Sequence, residues 1–195
     1  MDPNENITMN GIEFLDRLDE QSDTVCFDMD GVLAQFDVKK FIGDDPPFMD
    51  PEYHWAWKSK PMRECVQLAS LMVRLGWNVH IISHKPYYIN MYIQKYGIGR
   101  TKIIDRITAE DKIAWAQTHV PKVKLENIHI LEVSQQKSEV FEKENGQFIG
   151  NGNFVLLDDD NRNLEMWRDS GGIAVKYLNG GNSPESWNGW KLKLW

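Results

Sequence analysis

Positive charge is scarce in this sequence. Its 22 Lys and Arg stand against 29 Asp and Glu, a formal net charge of −7. A broad basic surface for a polynucleotide backbone is therefore not expected, because phosphate contacts carry much of that affinity. Cysteine is scarcer still. Cys26 and Cys65 are the only 2, and they fit neither a zinc spacing nor a disulfide framework. Cys26 lies inside an apolar run and is expected as a core thiol. No apolar run approaches the ~20 residues that span a bilayer. The opening "MDPNENITMN" is polar and acidic, unlike a secretory signal. These absences predict a soluble, cytoplasmic chain without a membrane partner. Hydrophobic residues still make up 42% of the 195, enough for a core. That length fits one domain, residues 1–195, with a small insertion.

The apolar residues are arranged as strands alternating with helices. "GIEFLDRLDE" (11–20) reads as a short amphipathic helix, and the run ending at Asp28 as the first core strand. Pro61 suits the first turn of a helix. Cys65, Leu68, Ala69, Met72 and Leu75 then recur at helical spacing up to Gly76. A second strand is expected over 77–83, then helices over 86–97 and 109–120. Further strands follow at 127–133, 153–159 and 173–177, with a helix over 163–172. This alternation predicts an α/β fold: a Rossmann-like parallel sheet with helices on both faces. The tail, "NGGNSPESWNGWKLKLW", keeps three tryptophans and is expected to pack.

Ligands of such sheets sit beyond the carboxyl ends of the strands. The first strand delivers Asp28 and Asp30 within "TVCFDMDGVLAQF", the second Ser83, and the fourth Asp158 and Asp159. Two like charges ~4 Å apart repel by about 4 kcal/mol at an effective dielectric near 20. A phosphate beside them would add to this. Mg²⁺ resolves the conflict, since it takes a few carboxylates together with phosphate oxygens and water. Asp28 and Asp30 alone would pass for a turn acid and a helix cap. The Asp-Asp pair at the end of another strand argues for a metal and a phosphorylated substrate instead.

"FDMDGVLA", the "IIS" ending at Ser83, and "VLLDDD" resemble the first, second and fourth motifs of the haloacid dehalogenase superfamily of phosphotransferases. The third motif is a lysine, with Lys112 and Lys137 as candidates. The 5′(3′)-deoxyribonucleotidase branch of bacterial and phage type carries a Lys-x-x-Trp helix with a later His and Pro, then an Asn-Ile strand, then Lys-Ser. Here Lys112, Trp115, His119 and Pro121 precede Asn127-Ile128 and Lys137-Ser138, so the resemblance selects Lys137. Gln136 stands where that branch has Asp. Lys112, Trp115 and His119 share helical spacing and read as a packed helix face. "NLEMW" and "GGIAVKYLNG" extend the resemblance to about residue 180.

The resemblance implies a HAD-like fold and a Mg²⁺-dependent phosphatase. Asp28 would be the nucleophile and Asp30 the general acid and base. Gly31 would let the chain turn under the phosphate. Ser83 and Lys137 would bind phosphoryl oxygens, with His84 following Ser83 and able to approach them. Asp28, the Asp30 backbone carbonyl, Asp159 and Asp158 would hold the metal. Asp160 reads as a solvated acid at a helix start, and His80, His119 and His129 as packing or surface residues.

The segment at about 36–60, between the first two motifs, is where this superfamily inserts its cap. It holds Phe36, Phe41, Phe48, Tyr53, Trp55 and Trp57. Phe36, Trp55 and Trp57 are the chosen candidates for stacking on a nucleobase; Trp55 and Trp57 would share a face of an extended stretch. The same aromatics could instead form the cap's own small core. The expected substrate is a nucleoside 5′- or 3′-monophosphate, with deoxyribonucleotides favoured. The phosphatase domain of phage polynucleotide kinases is also similar over "LDDDNRNLEMWRDSGG", which makes a polynucleotide 3′-phosphatase the alternative. The acidic charge argues against it. A catalytically silent binder of a phosphorylated ligand is a third reading, opposed by the presence of all four motif positions.

Overall fold

Each core strand buries both faces, because helices cover both. Along β2 (Thr24–Phe27), Val25 and Phe27 join one hydrophobic cluster while Cys26 joins another. The first cluster contains Phe14, Cys65, Leu68, Met72 and Trp115; the second contains Phe141 and Trp167. Those side chains belong to α1 (Gly11–Leu15), α2 (Arg63–Leu75) and α3 (Ile93–His119) on one face, and to α4 (Lys137–Asn145) and α5 (Asn161–Asp169) on the other. This is a computed structural model, and it describes residues 8–19, 23–36, 47–86, 92–146, 148–151, 153–178 and 191–195.

The remaining strands are β1 (Thr8–Met9), β3 (Asn78–His84), β4 (Ile128–Leu131), β5 (Phe154–Asp158), β6 (Ile173–Leu178) and β7 (Lys191–Leu194). The sheet order is β1-β7-β6-β5-β2-β3-β4. The pairs β4·β3, β3·β2, β2·β5 and β5·β6 are parallel. The expected parallel sheet is thus its core, but the whole sheet is mixed: β7 pairs antiparallel with β6, and β1 antiparallel with β7. The chain after β2 winds to one side through β3 and β4, then returns to the other side of β2 as β5. The crevice of such a sheet opens where the winding reverses, between the carboxyl ends of β2 and β5.

Several expected elements differ. Helix α1 stops at Leu15, with Asn10 and Glu13 forming a capping box at its start. The expected helices over 86–97 and 109–120 are joined: α3 runs from Ile93 to His119, bent at Gly97 with φ 78° and ψ 155°. Residues 87–91 lie outside the described residues. Helix α4 was not foreseen. The tail packs where it is described, with Leu192 and Leu194 of β7 buried; residues 179–190 lie outside. Cys26 is a buried free thiol, as expected. Among the described residues no helix is long and apolar enough to cross a membrane.

Of the insertion, residues 37–46, Phe41 included, lie outside the described residues. Phe48, Met49, Trp55 and Ala56 form a small core with Ile104 of α3, and Phe36, Tyr92 and Tyr96 pack against it. The insertion is pinned to α3 by polar contacts as well. Arg100 donates to the Met49 carbonyl at 3.0 Å, Trp115 Nε1 donates to the Ser59 carbonyl at 2.7 Å, and His54 Nδ1 meets Asp111 at 3.0 Å.

Candidate active site

Phe27 of β2 lies in register with Leu157 of β5, so Asp28 and Asp158 leave the sheet side by side. The Asp28 amide donates to the Leu157 carbonyl at 2.9 Å. Beyond Asp28 the chain closes a tight turn: the amides of Leu33 and Ala34 both donate to the Met29 carbonyl, at 3.0 and 2.7 Å. Gly31 takes φ +85°, a left-handed conformation that L side chains rarely adopt. A Cβ at Gly31 would lie 2.2 Å from Asp159 Oδ2. The glycine therefore makes room for the second acid of β5's end.

Asp28, Asp158 and Asp159 each offer a carboxylate oxygen, and these atoms lie within 4.8 Å of one another. The donor set is all hard oxygen, as Mg²⁺ requires. The Asp30 side chain is outside this group.

Lys137 is the first residue of α4 and is buried. Its ammonium donates to Asp28 Oδ1 and Asp158 Oδ2, both at 2.6 Å. Burial alone would lower its pKa, but Asp158 and Asp28 overcome this and raise it, so the lysine stays charged. Burial pushes the Asp28 carboxyl well up. Lys137 opposes that shift, while the charges of Asp158, Asp30 and Asp159 add to it. Negative charge is therefore crowded where Asp28, Asp158 and Asp159 meet, a conflict that a divalent cation would relieve. Asp158 is held further by the Asp160 amide at 2.8 Å and by Asn163 Nδ2 at 3.0 Å.

Lys112, the other candidate for the third motif, is expected from the sequence on a packed helix face, and Trp115 beside it is core. Lys112 is fully buried, yet its ammonium turns into the site. It donates to Asp30 Oδ2 at 2.5 Å, Ser83 Oγ at 2.9 Å and the His84 carbonyl at 2.7 Å. The signal was available: a lysine on an otherwise apolar helix stripe must find partners, because a buried unpaired charge is prohibitively costly.

The other candidates divide. Ser83 is buried at the end of β3, within reach of the Asp30–Lys112 pair. His84 directs its Nε2 to the Gln135 carbonyl at 2.8 Å, tying β3 to the loop before α4. Burial, aided by Lys137, lowers its pKa. Trp55 is 6% exposed and Trp57 44%. Residues 55–58 form turns, which corrects the expectation of an extended stretch with both rings on one face. Phe36 packs edge-on to Trp55, with ring centroids 6.3 Å apart. Asp160 caps α5 and pairs with Arg162 at 2.9 Å, so it acts as a helix-start acid. His80 and His129 are buried packing residues, and His119 lies against Trp115.

No family model matches the chain, and no curated protein does. Among solved structures, D,D-heptose 1,7-bisphosphate phosphatase from Burkholderia thailandensis is similar. It shows 9% identity and a TM-score of 0.43, over 77% of this chain and 74% of that one.

Proposed function

We propose that this protein is a Mg²⁺-dependent phosphomonoesterase that works through an aspartyl-phosphate on Asp28. One observation carries the reading. A buried carboxylate, Asp28, sits between a lysine at 2.6 Å and the acids Asp158 and Asp159, while the half-buried Asp30 stands two residues on, paired with a second lysine. Three carboxylates with oxygens within 4.8 Å of one another around one lysine suit a divalent cation better than a purely structural ion pair.

An oxygen of Asp28 attacks phosphorus, and the ester P–O bond breaks. Asp30 gives its proton to the departing ester oxygen. Asp30 then takes a proton from water as that water attacks the same phosphorus, which breaks the Asp28–phosphate bond and releases inorganic phosphate. Two of the three N–H groups of Lys137 are used by Asp28 and Asp158; the third is left for a phosphoryl oxygen, whose charge it meets in the transition state. Ser83 supplies a hydroxyl at the same strand end. A Mg²⁺ ion held by Asp28, Asp158 and Asp159 supplies charge neutralisation for the phosphoryl group when bound.

For the substrate we propose nucleoside 5′- or 3′-monophosphates, deoxyribonucleotides foremost. The aromatic insertion beside the site supports this, as does the acidic charge, which disfavours a polynucleotide. Trp57 is the more exposed of the two tryptophans and so the one with ring surface open to a base. The test is phosphate release from a panel of nucleoside monophosphates against a 3′-phosphorylated oligonucleotide, with and without Mg²⁺. Preference for the mononucleotides is expected. Preference for the oligonucleotide would replace this substrate class, and turnover undiminished in excess chelator would remove the metal.

A further inference from the structure

We propose that Lys112 is a positioning residue for the acid–base carboxylate: it fixes Asp30 against Ser83, and Trp55 of the insertion seals the arrangement. This rests on the phosphomonoesterase reading and adds to it a residue from α3. An ammonium has three N–H donors and no acceptor. Lys112 uses all three, on Asp30 Oδ2, Ser83 Oγ and the His84 carbonyl. No donor remains for a substrate oxygen, so Lys112 acts through Asp30 and Ser83. Lys137 differs in having a donor to spare. The two lysines therefore divide the work, one toward the nucleophile and one toward the acid.

The His84 carbonyl anchors the Lys112 ammonium to the backbone of β3, a rigid element. Asp30 lies on the turn after β2 and has no such support from the sheet. Without Lys112 its carboxylate would be free to choose other rotamers, and general acid catalysis needs the proton within hydrogen-bond reach of the leaving oxygen. On its remaining side, Lys112 lies 5.7 Å from the centroid of the Trp55 ring. Trp55 Nε1 donates to Thr108 Oγ1 at 3.3 Å, one helical turn before Lys112. Thr108, Lys112 and Trp115 are spaced i, i+4, i+7, so one stripe of α3 receives both the insertion and the acid–base pair. This gives Trp55 a task other than stacking on a base.

The experiment compares Lys112→Met, Asp30→Asn and the double variant on two esters in Mg²⁺. Nitrophenyl phosphate has a leaving group that departs without a proton; an alkyl phosphate needs one. Loss of acid positioning should lower kcat for the alkyl ester at least about tenfold more than for the aryl ester. Asp30→Asn should show the same imbalance, and the double variant should be no worse than Asp30→Asn. Equal losses on the two esters with Lys112→Met would overturn the proposal, since direct phosphate binding or mere fold support predicts that result. Thermal denaturation of the same variants gives a readout independent of turnover. The double variant should melt higher than Lys112→Met alone, because it removes both charges; additive losses would also overturn the proposal. An unmutated protein inert on both esters would instead bring down the phosphatase reading, and this role with it.

Discussion

Replacing Gly31 by Ala perturbs the acid cluster without removing a carboxylate. The new Cβ would stand 2.2 Å from Asp159 Oδ2 and 2.6 Å from its Cγ. Non-bonded heavy atoms rest comfortably at ~3.5 Å. The carboxylate, as the tip of a side chain, must therefore retreat by about 1 Å. Mg²⁺ demands oxygens at ~2.0–2.1 Å in near-octahedral array, so a retreat of that size removes Asp159 as a ligand. Outer-shell changes already cost roughly 10–100-fold in metal affinity, and loss of a direct ligand should cost at least as much. The left-handed φ of +85° adds strain of about 1–2 kcal/mol for Ala, or roughly 2–8 °C in Tm at this chain length. Gly31→Ala should thus fold, melt a few degrees lower, and need at least about tenfold more Mg²⁺ for half-maximal phosphate release. A Mg²⁺ titration of activity, with melting curves in and out of Mg²⁺, measures both effects. An unchanged Mg²⁺ midpoint in the folded variant would refute the placement of Asp159 at the metal.

Lys137→Met leaves Asp28 and Asp158 buried without their cation, a loss worth about 3–5 kcal/mol. Tm should fall sharply without Mg²⁺ and recover in part with it, and kcat should drop by about 10²-fold or more; a mild effect on both would remove Lys137 from the phosphate. Trp57→Ala should lower kcat/KM on nucleoside monophosphates about ten- to hundredfold and on nitrophenyl phosphate much less. Trp55→Ala should harm both substrates alike, because that ring is packed against the site; base-selective loss at Trp55 would reverse the assignment. His80 has its pKa lowered from 6.5 to about 4, by burial first and then by His129 and Lys124. Below pH 6.5 the unfolded chain takes a proton that native His80 refuses. Stability present above that pH should therefore be lost as pH falls toward 4, by up to about 3 kcal/mol. Melting curves of the parent and His80→Gln across that range check this, and parallel curves would contradict it.

The ends of the strands were the most legible part of the sequence. Continuous apolar runs mark buried parallel strands, and acids at their ends have no place in a core, so Asp28, Asp158 and Ser83 could be placed from pattern alone. Helix α4 was not legible. Its buried face includes Lys137 and Ser138 alongside Val140 and Phe141, which blurs the apolar stripe. Lys112 is one of the two lysine candidates in the sequence, but its neighbours on the stripe are ordinary core residues, which conceals its place in the site. The bend at Gly97 read as a helix stop because glycine usually ends helices, whereas here the chain resumes the helix after one residue of non-helical φ and ψ. The edges β1 and β7 are two and four residues long, too short for a period to stand out. Trp55 and Trp57 were paired on the assumption of extended backbone, which the turns at 55–58 remove.

Central to the proposed reaction is a covalent bond between Asp28 and phosphorus. Reduction with borohydride after an acid quench converts an aspartyl-phosphate to homoserine, and peptide mass spectrometry locates the residue reduced. During turnover of a phosphomonoester the account predicts reduction at Asp28, and none without substrate or in Asp28→Asn. Steady turnover with Asp28 unreduced, or with the label on another residue, would contradict it.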